Sequence, residues 1–438
     1  MPAESDQPRL RRTFSALKVR NFRIYFAGQS VSLIGTWMQS VAQSWLVLEL
    51  THSGTMLGLV VAVQFLPVLL LGPYGGLIAD RVDKRRLLLG TQSTLGSLAL
   101  VLGLLTLTGA VRLWMVFVLA AGFGIVNAAD NPARQTFVPE MVGPDRLQNA
   151  VSLNNIMVNS SRAIGPAAAG LLIAAAGTAV CFLANAASFV AVLIALACIR
   201  TADLRRAPPV SREPGQVRQG LRYVRRTTAL LIPLLMMALV GTLAYEFQVV
   251  LPLLARVELH GGADAYGFLT SAMGAGAVAG GLFVAGLSTA GLGRLTLAAA
   301  GFGAAILAAA IVPSFPAELA ALACVGAGST AFIATGNTTL QLTSDPQFRG
   351  RVMALWSVTF LGSTPVGGPL IGLVAQYLSP RIALGAGGLA CLAAAGIGLA
   401  GLARLPPAER RAAHQHAQDL DVPGSGPPPG TAVNGPGP

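Results

Sequence analysis

Charge is scarce in this chain. Asp, Glu, Lys and Arg make up 11% of its 438 residues, against about 25% in ordinary soluble domains. So thin a charge complement cannot cover a water-facing surface, and 53% of the residues are hydrophobic. The sequence is therefore that of a polytopic, all-α membrane protein. Cysteine is rare as well. Cys181, Cys198, Cys324 and Cys391 sit singly inside apolar runs, which excludes a disulfide framework or metal spacing and makes them small core residues. There is no Gly-x-x-x-x-Gly-Lys-Ser/Thr phosphate loop and no His-Glu-x-x-His pair. No soluble stretch is large enough to turn over nucleotide, so no enzymatic activity, cofactor or metal is expected. The start shows no cationic stub with a short apolar core and cleavage site, so the first span reads as an uncleaved anchor.

What is present is a series of apolar windows about 20 residues long, the length that crosses a bilayer. They fall near 22–48, 55–79, 87–109, 113–136, 149–176 and 178–199, then 229–256, 265–288, 294–312, 316–342, 351–378 and 380–404, numbered here spans 1 to 12. Net charge is +12, which in a soluble protein would point to nucleic acid. Here its distribution has another cause. All Lys and Arg residues except Arg112, Arg162, Arg256 and Arg381 lie at the ends and loops of one side. The positive-inside rule puts that side, with both termini, in the cytosol. No nucleic-acid partner is expected.

The chain divides in its middle. Residues 1–21 form a cytosolic segment, 22–199 a first six-span bundle, 200–228 an arginine-rich cytosolic linker, 229–404 a second bundle and 405–438 a Pro- and Gly-rich tail of a composition that does not fold. In the linker Val217, Leu221 and Val224 recur at helical spacing, which fits an amphipathic helix on the inner leaflet as well as a solvated charge run. The halves look related. Arg146, followed by Gly165-Pro166, has its counterpart 203 residues later in Arg349, followed by Gly368-Pro369.

Between spans 2 and 3, Gly76, Asp80, Arg81, Lys84 and Arg85 follow the pattern Gly-x-x-x-Asp-Arg-x-x-Lys-Arg. This resembles the loop between helices 2 and 3 of the major facilitator superfamily, with Asp83 where glycine is usual. Asp130-Asn131-Pro132-Ala133-Arg134, Gly165-Pro166 with Gly170, Leu251-Pro252 and Tyr266-Gly267 are similar to the macrolide-efflux and enterobactin-exporter branch. The resemblance implies two pseudo-symmetric six-helix bundles around a central cavity. It further implies export of small organic molecules such as drugs, secondary metabolites or siderophores across the cytoplasmic membrane by proton antiport with alternating access. A proton-independent facilitator or lipid-type transporter is the alternative, and a non-transporting binding protein a remote one. The partners implied are a small-molecule substrate, protons and membrane lipids, with the monomer as the working unit. Val118 stands where many antiporters carry an arginine, so their coupling scheme does not transfer directly.

The residues themselves suggest roles. Asp80 can accept from exposed amides at the start of span 11 near Arg351, and Arg81 can pair with a carboxylate on span 4. Asn127, Asp130, Asn131 and Arg134 share one helical face. Asp80, Arg81, Asp130 and Arg134 form an expected inner gate that holds the outward-open state and separates in the inward-open one, with Lys84, Arg85 and Arg86 serving also, or only, as topology determinants. Two ionisable groups are expected deep in spans. Arg162 shares a polar stripe with Asn155 and Asn159 and is read as a cavity cation. Glu246 is read as the proton carrier, because a carboxyl inside an apolar span changes charge as its surroundings change; a fixed interhelical hydrogen bond is the competing account. Gln39 and Gln43 of span 1 and Asn337 and Gln341 of span 10 are further cavity candidates. Gly165, Pro166 and Gly170 are expected to let span 5 bend.

Overall fold

In the computed structural model, which describes residues 14–205, 216–285 and 291–404, every long element is a helix. Spans 1 to 6 are Arg20–Thr51, Gly54–Arg81, Lys84–Leu107, Leu113–Val142, Pro144–Ala176 and Thr178–Ala197. Span 7 is Thr228–Leu243 continued by Phe247–Leu253 and a π-helical turn, Leu254–Glu258. Spans 8 to 12 are Ala263–Ala285, Leu292–Ile311, Phe315–Thr343, Arg349–Tyr377 and Pro380–Arg404. Among the described residues, eleven of these are both long and apolar enough to cross a membrane. Span 1 is 32 residues long and falls short on apolarity alone. Its Gln29, Thr36, Gln39, Ser40 and Gln43 face a cavity rather than lipid, which is why a crossing helix can be this polar.

The packing order shows the twinned architecture. In the first half span 2 packs on 4, 1 on 6 and on 5, and 3 on 6 and on 4. Adding six to each number gives the contacts of the second half: 8 on 10, 7 on 12 and on 11, and 9 on 12 and on 10. Two large seams join the halves, span 2 against 11 and span 5 against 8, and they exchange under the same operation. The tail from 405 lies outside the described residues, as do 206–215 of the linker and the side chain of Val217. The linker helix Gln216–Arg226 docks on span 11: Tyr223 stacks on Phe348 at 4.4 Å, and Arg351 donates to Gln219 at 2.9 Å.

Backbone contact at glycine sets the spacing of the helices. Lipid is as apolar as leucine, so no solvent drives these helices together and close packing must do it. In span 8, Gly276 and Gly280 lie against Ala323 and Ala327, while Gly326 of span 10 lies against the Met273 carbonyl. Gly58 and Gly54 of span 2 meet Gly368 and Gly372 of span 11 in the same way. Span 5 runs unbroken through Pro166. Its Gly165 packs on Ile34, Trp37 and Met38, and Gly170 on Ala263 and Asp264. The motif expected to bend the helix serves close packing here. Two expectations need correcting. Cys198 and Cys324 are exposed, and only Cys181 and Cys391 are buried, because the first two sit on outward helix faces. Span 7 is also interrupted at Ala244–Glu246, which no Gly or Pro at those positions announced.

Gly326→Val must push span 10 off span 8. Overpacking of this kind costs about 1–3 kcal/mol and should lower the melting temperature in detergent by several degrees. Gly396→Val, at a position open to its surroundings, should leave the melting curve unchanged.

Candidate functional site

Between the halves lies a cavity of about 700 Å³, with most of its wall supplied by the first half. Span 1 contributes Gln29, Trp37, Gln39 and Gln43, whose spacing returns to one helical face. Gln64 comes from span 2, Asn127, Asn131 and Arg134 from span 4, Asn154 and Asn155 from span 5, and Gln248 from span 7. Tyr25 and Val138 mark the end toward the arginine-rich face, and Gln43 and Gln64 lie deepest. Beyond them the halves are in contact. Ser53 Oγ and the Thr55 amide both donate to Gln376 Oε1, at 2.7 and 3.0 Å, and Arg256 donates to the Leu48 carbonyl at 3.0 Å.

The amides hold one another in place. Gln43 Nε2 donates to Gln64 Oε1 at 2.8 Å, and Asn185 Nδ2 donates to Gln39 Oε1 at 2.6 Å. Gln39, Gln43 and Asn155 were readable from sequence as cavity residues. Asn159 instead donates to the Asn155 carbonyl, and Asn337 and Gln341 on span 10 are not part of this wall. Gln29, Gln64, Asn154 and Gln248 were missed, since a lone amide in an apolar helix makes no pattern. Asn127 and Asn131 were visible as part of a polar face near the cytosolic end, but not as cavity residues.

The charge cluster at the arginine-rich end is built differently from expectation. Asp130 is fully buried, accepts from Thr91 Oγ1 at 2.6 Å and Gln92 Nε2 at 2.8 Å, and pairs with Arg134 Nε at 2.8 Å. Arg134 also donates to Asn131 at 2.6 Å, which turns it along the cavity wall. The cation that reaches a span 4 carboxylate is Lys84, on Glu140, and not Arg81. Arg81 is exposed at the end of span 2, where the chain turns away from span 4. Arg85 donates to the carbonyls of Leu196 and Ala197, closing the last turn of span 6. Asp83 caps the start of span 3 by accepting from the Arg86 amide at 3.0 Å, which gives the acid at that position a structural job. The Asp80 side chain lies outside the described residues. Close approach of span 2 to span 4 comes at Gly75, beside Gly76, against the Ala128 carbonyl.

Arg162 and Glu246 are separate features. Arg162 lies over the Trp37 ring at 5.6 Å, a cation–π contact, and its Nε has no hydrogen-bond partner among the described residues. Glu246 sits at the interruption of span 7, 3% exposed, against Gly367 and Gly368 of span 11. Its Oε1 has no hydrogen-bond partner among the described residues. No ion pair joins the two among the described residues. Three further acids are enclosed near the ends of their spans: Asp130, Glu140 and Glu318 are 0%, 6% and 0% exposed. Glu318 stands one turn inside span 10, where sequence alone reads an interfacial acid.

Comparison with known proteins adds to this geometry. The staphyloferrin A transporter of Staphylococcus aureus is 33% identical over 176 residues, 40% of this chain and 44% of that protein. The chain therefore spans about half the length of that relative. The macrolide efflux protein A of Streptococcus pyogenes is 24% identical over 61% of this chain and 67% of its own length. The enterobactin exporter EntS of Shigella boydii is 26% identical over 386 residues, 85% of this chain and 89% of its own. Among solved structures, a peptide transporter of the POT family superimposes with a TM-score of 0.71 at 13% identity, covering 87% of this chain and 94% of that one, a likeness of fold alone. The family model described as transmembrane secretion effector matches residues 11–423. A match of that extent, on a fold of two related six-helix bundles, makes this chain a member of the major facilitator superfamily, in its transmembrane secretion effector family.

Proposed function

We propose that this protein is a secondary active exporter that carries a small, oxygen-rich organic molecule of the siderophore or drug class out of the cytosol, by alternating access and against protons. The observation that carries this reading is the cavity. At about 700 Å³ it falls within the range that encloses a drug-sized ligand. Its polar wall is mostly amide, which both donates and accepts, with Arg134 on the wall; Arg162, expected as a cavity cation, is not among the lining residues and lies behind it over the ring of Trp37. Amides and guanidinium groups match hydroxyl, carbonyl and carboxylate oxygens. The names of the relatives, a staphyloferrin A transporter, an enterobactin exporter and a macrolide efflux protein, fall in the same chemical range. The proposed membrane is the cytoplasmic one.

The positive-inside rule assigns the arginine-rich end to the cytosol. On that assignment the structure corresponds to an inward-facing state: the cavity extends toward the cytosol, and the far ends of the halves are bonded through Gln376 and Arg256. Rocking of the halves about the 2–11 and 5–8 seams would reverse this. The driving force is then an ion gradient, since the chain has no nucleotide-binding loop. Glu246 remains the proposed carrier. A neutral carboxyl is tolerated against Gly367 and Gly368, whereas an ionised one requires water or a cation, so each change of charge favours a different arrangement of spans 7 and 11. In the proposed gate, Asp130 holds Arg134, and closure of the inner end would bring Asp80 to the start of span 11 and Arg81 to a carboxylate of span 4.

Everted vesicles supply the first test. A siderophore or macrolide panel should reveal a substrate whose uptake is driven by an imposed pH gradient. Glu246→Gln should reduce that uptake at least about tenfold, about 1.4 kcal/mol, while counterflow exchange survives; loss of neither overturns the role. Asp130→Asn removes the charge that three donors meet in an enclosed site and should cost about 1–3 kcal/mol, read as a lowered melting temperature, with partial recovery in the Asp130→Asn, Arg134→Gln double variant. An unchanged melting curve in the single variant would remove Asp130 as the anchor of the gate.

A further inference from the structure

Three charged side chains meet in the second half, at the end opposite the arginine-rich face. Arg381 Nε of span 12 lies 3.3 Å from Glu258 Oε2 of span 7, and Arg381 Nη1 lies 3.7 Å from Glu318 Oε2 of span 10. The same Nη1 donates to the Ala310 carbonyl at 3.4 Å. Arg381 and Glu258 are partly open, with side chains 22% and 25% exposed. Glu318 is wholly enclosed, and neither of its oxygens accepts a hydrogen bond from a described residue. One guanidinium cannot neutralise two carboxylates. An excess negative charge without hydrogen bonds in an enclosed site is expensive, and a proton on Glu318 removes it.

The neighbouring turn gives that proton something to control. Glu258 and Arg256 both belong to the π-helical turn Leu254–Glu258, a local form with weaker geometry that recurs at functional sites. Glu258 ties the turn to span 12 within its own half, and Arg256 ties it across the seam to the Leu48 carbonyl of span 1. We propose that Glu318 is a proton-binding site on the outer side, and that Arg381, shared between Glu318 and Glu258, converts its occupancy into closure of the outer gate. With Glu318 neutral, Arg381 belongs to Glu258, the turn is held, and Arg256 bonds span 1, which is the arrangement seen here. With Glu318 ionised, the two carboxylates compete for Arg381, the turn loosens and the halves part at this end. A proton taken up outside thus closes the outer gate behind it.

The other titratable groups at this end are Arg256, His260 in the following turn, Asp264 at the start of span 8 and Tyr377 at the end of span 11, with Glu49 and His52 at the end of span 1 and Arg112 before span 4; span 9 brings no acid, base or histidine to it. His260 is the rival sensor. The inference is independent of Glu246, and its test needs no substrate. Spin labels at Leu107→Cys and Ile311→Cys, both exposed at the far ends of spans 3 and 9, report the separation of the halves by pulsed electron paramagnetic resonance. The full chain, with its four native cysteines replaced, is measured in lipid nanodiscs from about pH 5.5 to about pH 8.5, a window that spans shifted carboxyl and histidine titrations. The short distance should dominate at low pH, and the ratio of long to short should rise at least about tenfold as pH rises. Glu318→Gln should hold the short distance at every pH. Glu258→Gln, which removes the latch instead of the sensor, should populate the long distance even at low pH, so the two variants move in opposite directions. Glu246→Gln should retain the response whether or not it still transports. A Glu318→Gln protein that titrates as the parent does, a parent with no pH response, or a response abolished by His260→Gln would each overturn the proposal.

Discussion

Hydrocarbon offers a polar group neither water nor a partner, and nearly everything informative about this protein follows from that exclusion. Each polar side chain in a span must be satisfied by another helix or face a wet space. Span 1 shows both outcomes. Gln39 accepts from Asn185 and Gln43 donates to Gln64, and the same amides line the cavity. Their pairing with each other matters for binding. An amide with one hydrogen bond to a neighbour is oriented in advance and still has free lone pairs or N–H groups for a ligand.

The second constraint concerns backbone rather than side chains. With no solvent to drive helices together, contact area must come from small residues that let backbones approach. Gly276, Gly280 and Gly326 do this within the second half, and Gly54, Gly58, Gly368 and Gly372 do it across the seam of spans 2 and 11. The two uses differ mechanically. Interlocked glycines inside a half make it rigid, whereas a glycine seam between halves is smooth and has few side chains to unlock. Under the proposed alternating access, rotation about such a seam would exchange one set of backbone contacts for another, while the polar bonds at the far end, Gln376 to Ser53 and Arg256 to Leu48, would be the ones to break.

Sequence revealed the parts of the protein governed by long repetition. Twelve apolar windows, the bias of arginine to one side and the 203-residue echo of Arg146 in Arg349 all survive local error, because each is summed over many residues. The polar face of Asn127, Asp130, Asn131 and Arg134 was legible for the same reason, since helical spacing exposes it. What escaped was pairing. That Lys84 rather than Arg81 reaches span 4 depends on where the turn at Val82 and Asp83 releases the chain, and Asp83 fixes that by capping span 3. That Glu318 is enclosed depends on Arg381, 63 residues away, and no local pattern links an acid near one helix start with a base near another. The break in span 7 at Ala244–Glu246 was illegible too, since the residues it faces, Gly367 against the Thr242 carbonyl and beside the Glu246 carboxyl, come from span 11.

The twin halves have been put to unlike uses. The first half supplies nearly all the amide wall, and the second supplies the enclosed carboxyls Glu246 and Glu318, each with an oxygen that accepts no hydrogen bond from a described residue. Under the proposed antiport, a substrate that fills the amide cavity need not displace a proton directly, and coupling would pass through a structural element that both sites touch. Span 7 meets that requirement. Gln248 reaches the cavity, Glu246 lies at the interruption two residues before it, and Glu258 ends the π turn on Arg381. An unbroken helix would transmit any displacement rigidly from end to end. Span 7 is divided at Ala244–Glu246 and again where it turns π-helical at Leu254–Glu258, so its outer piece can answer to charge at one end while its inner piece stays packed on spans 11 and 12.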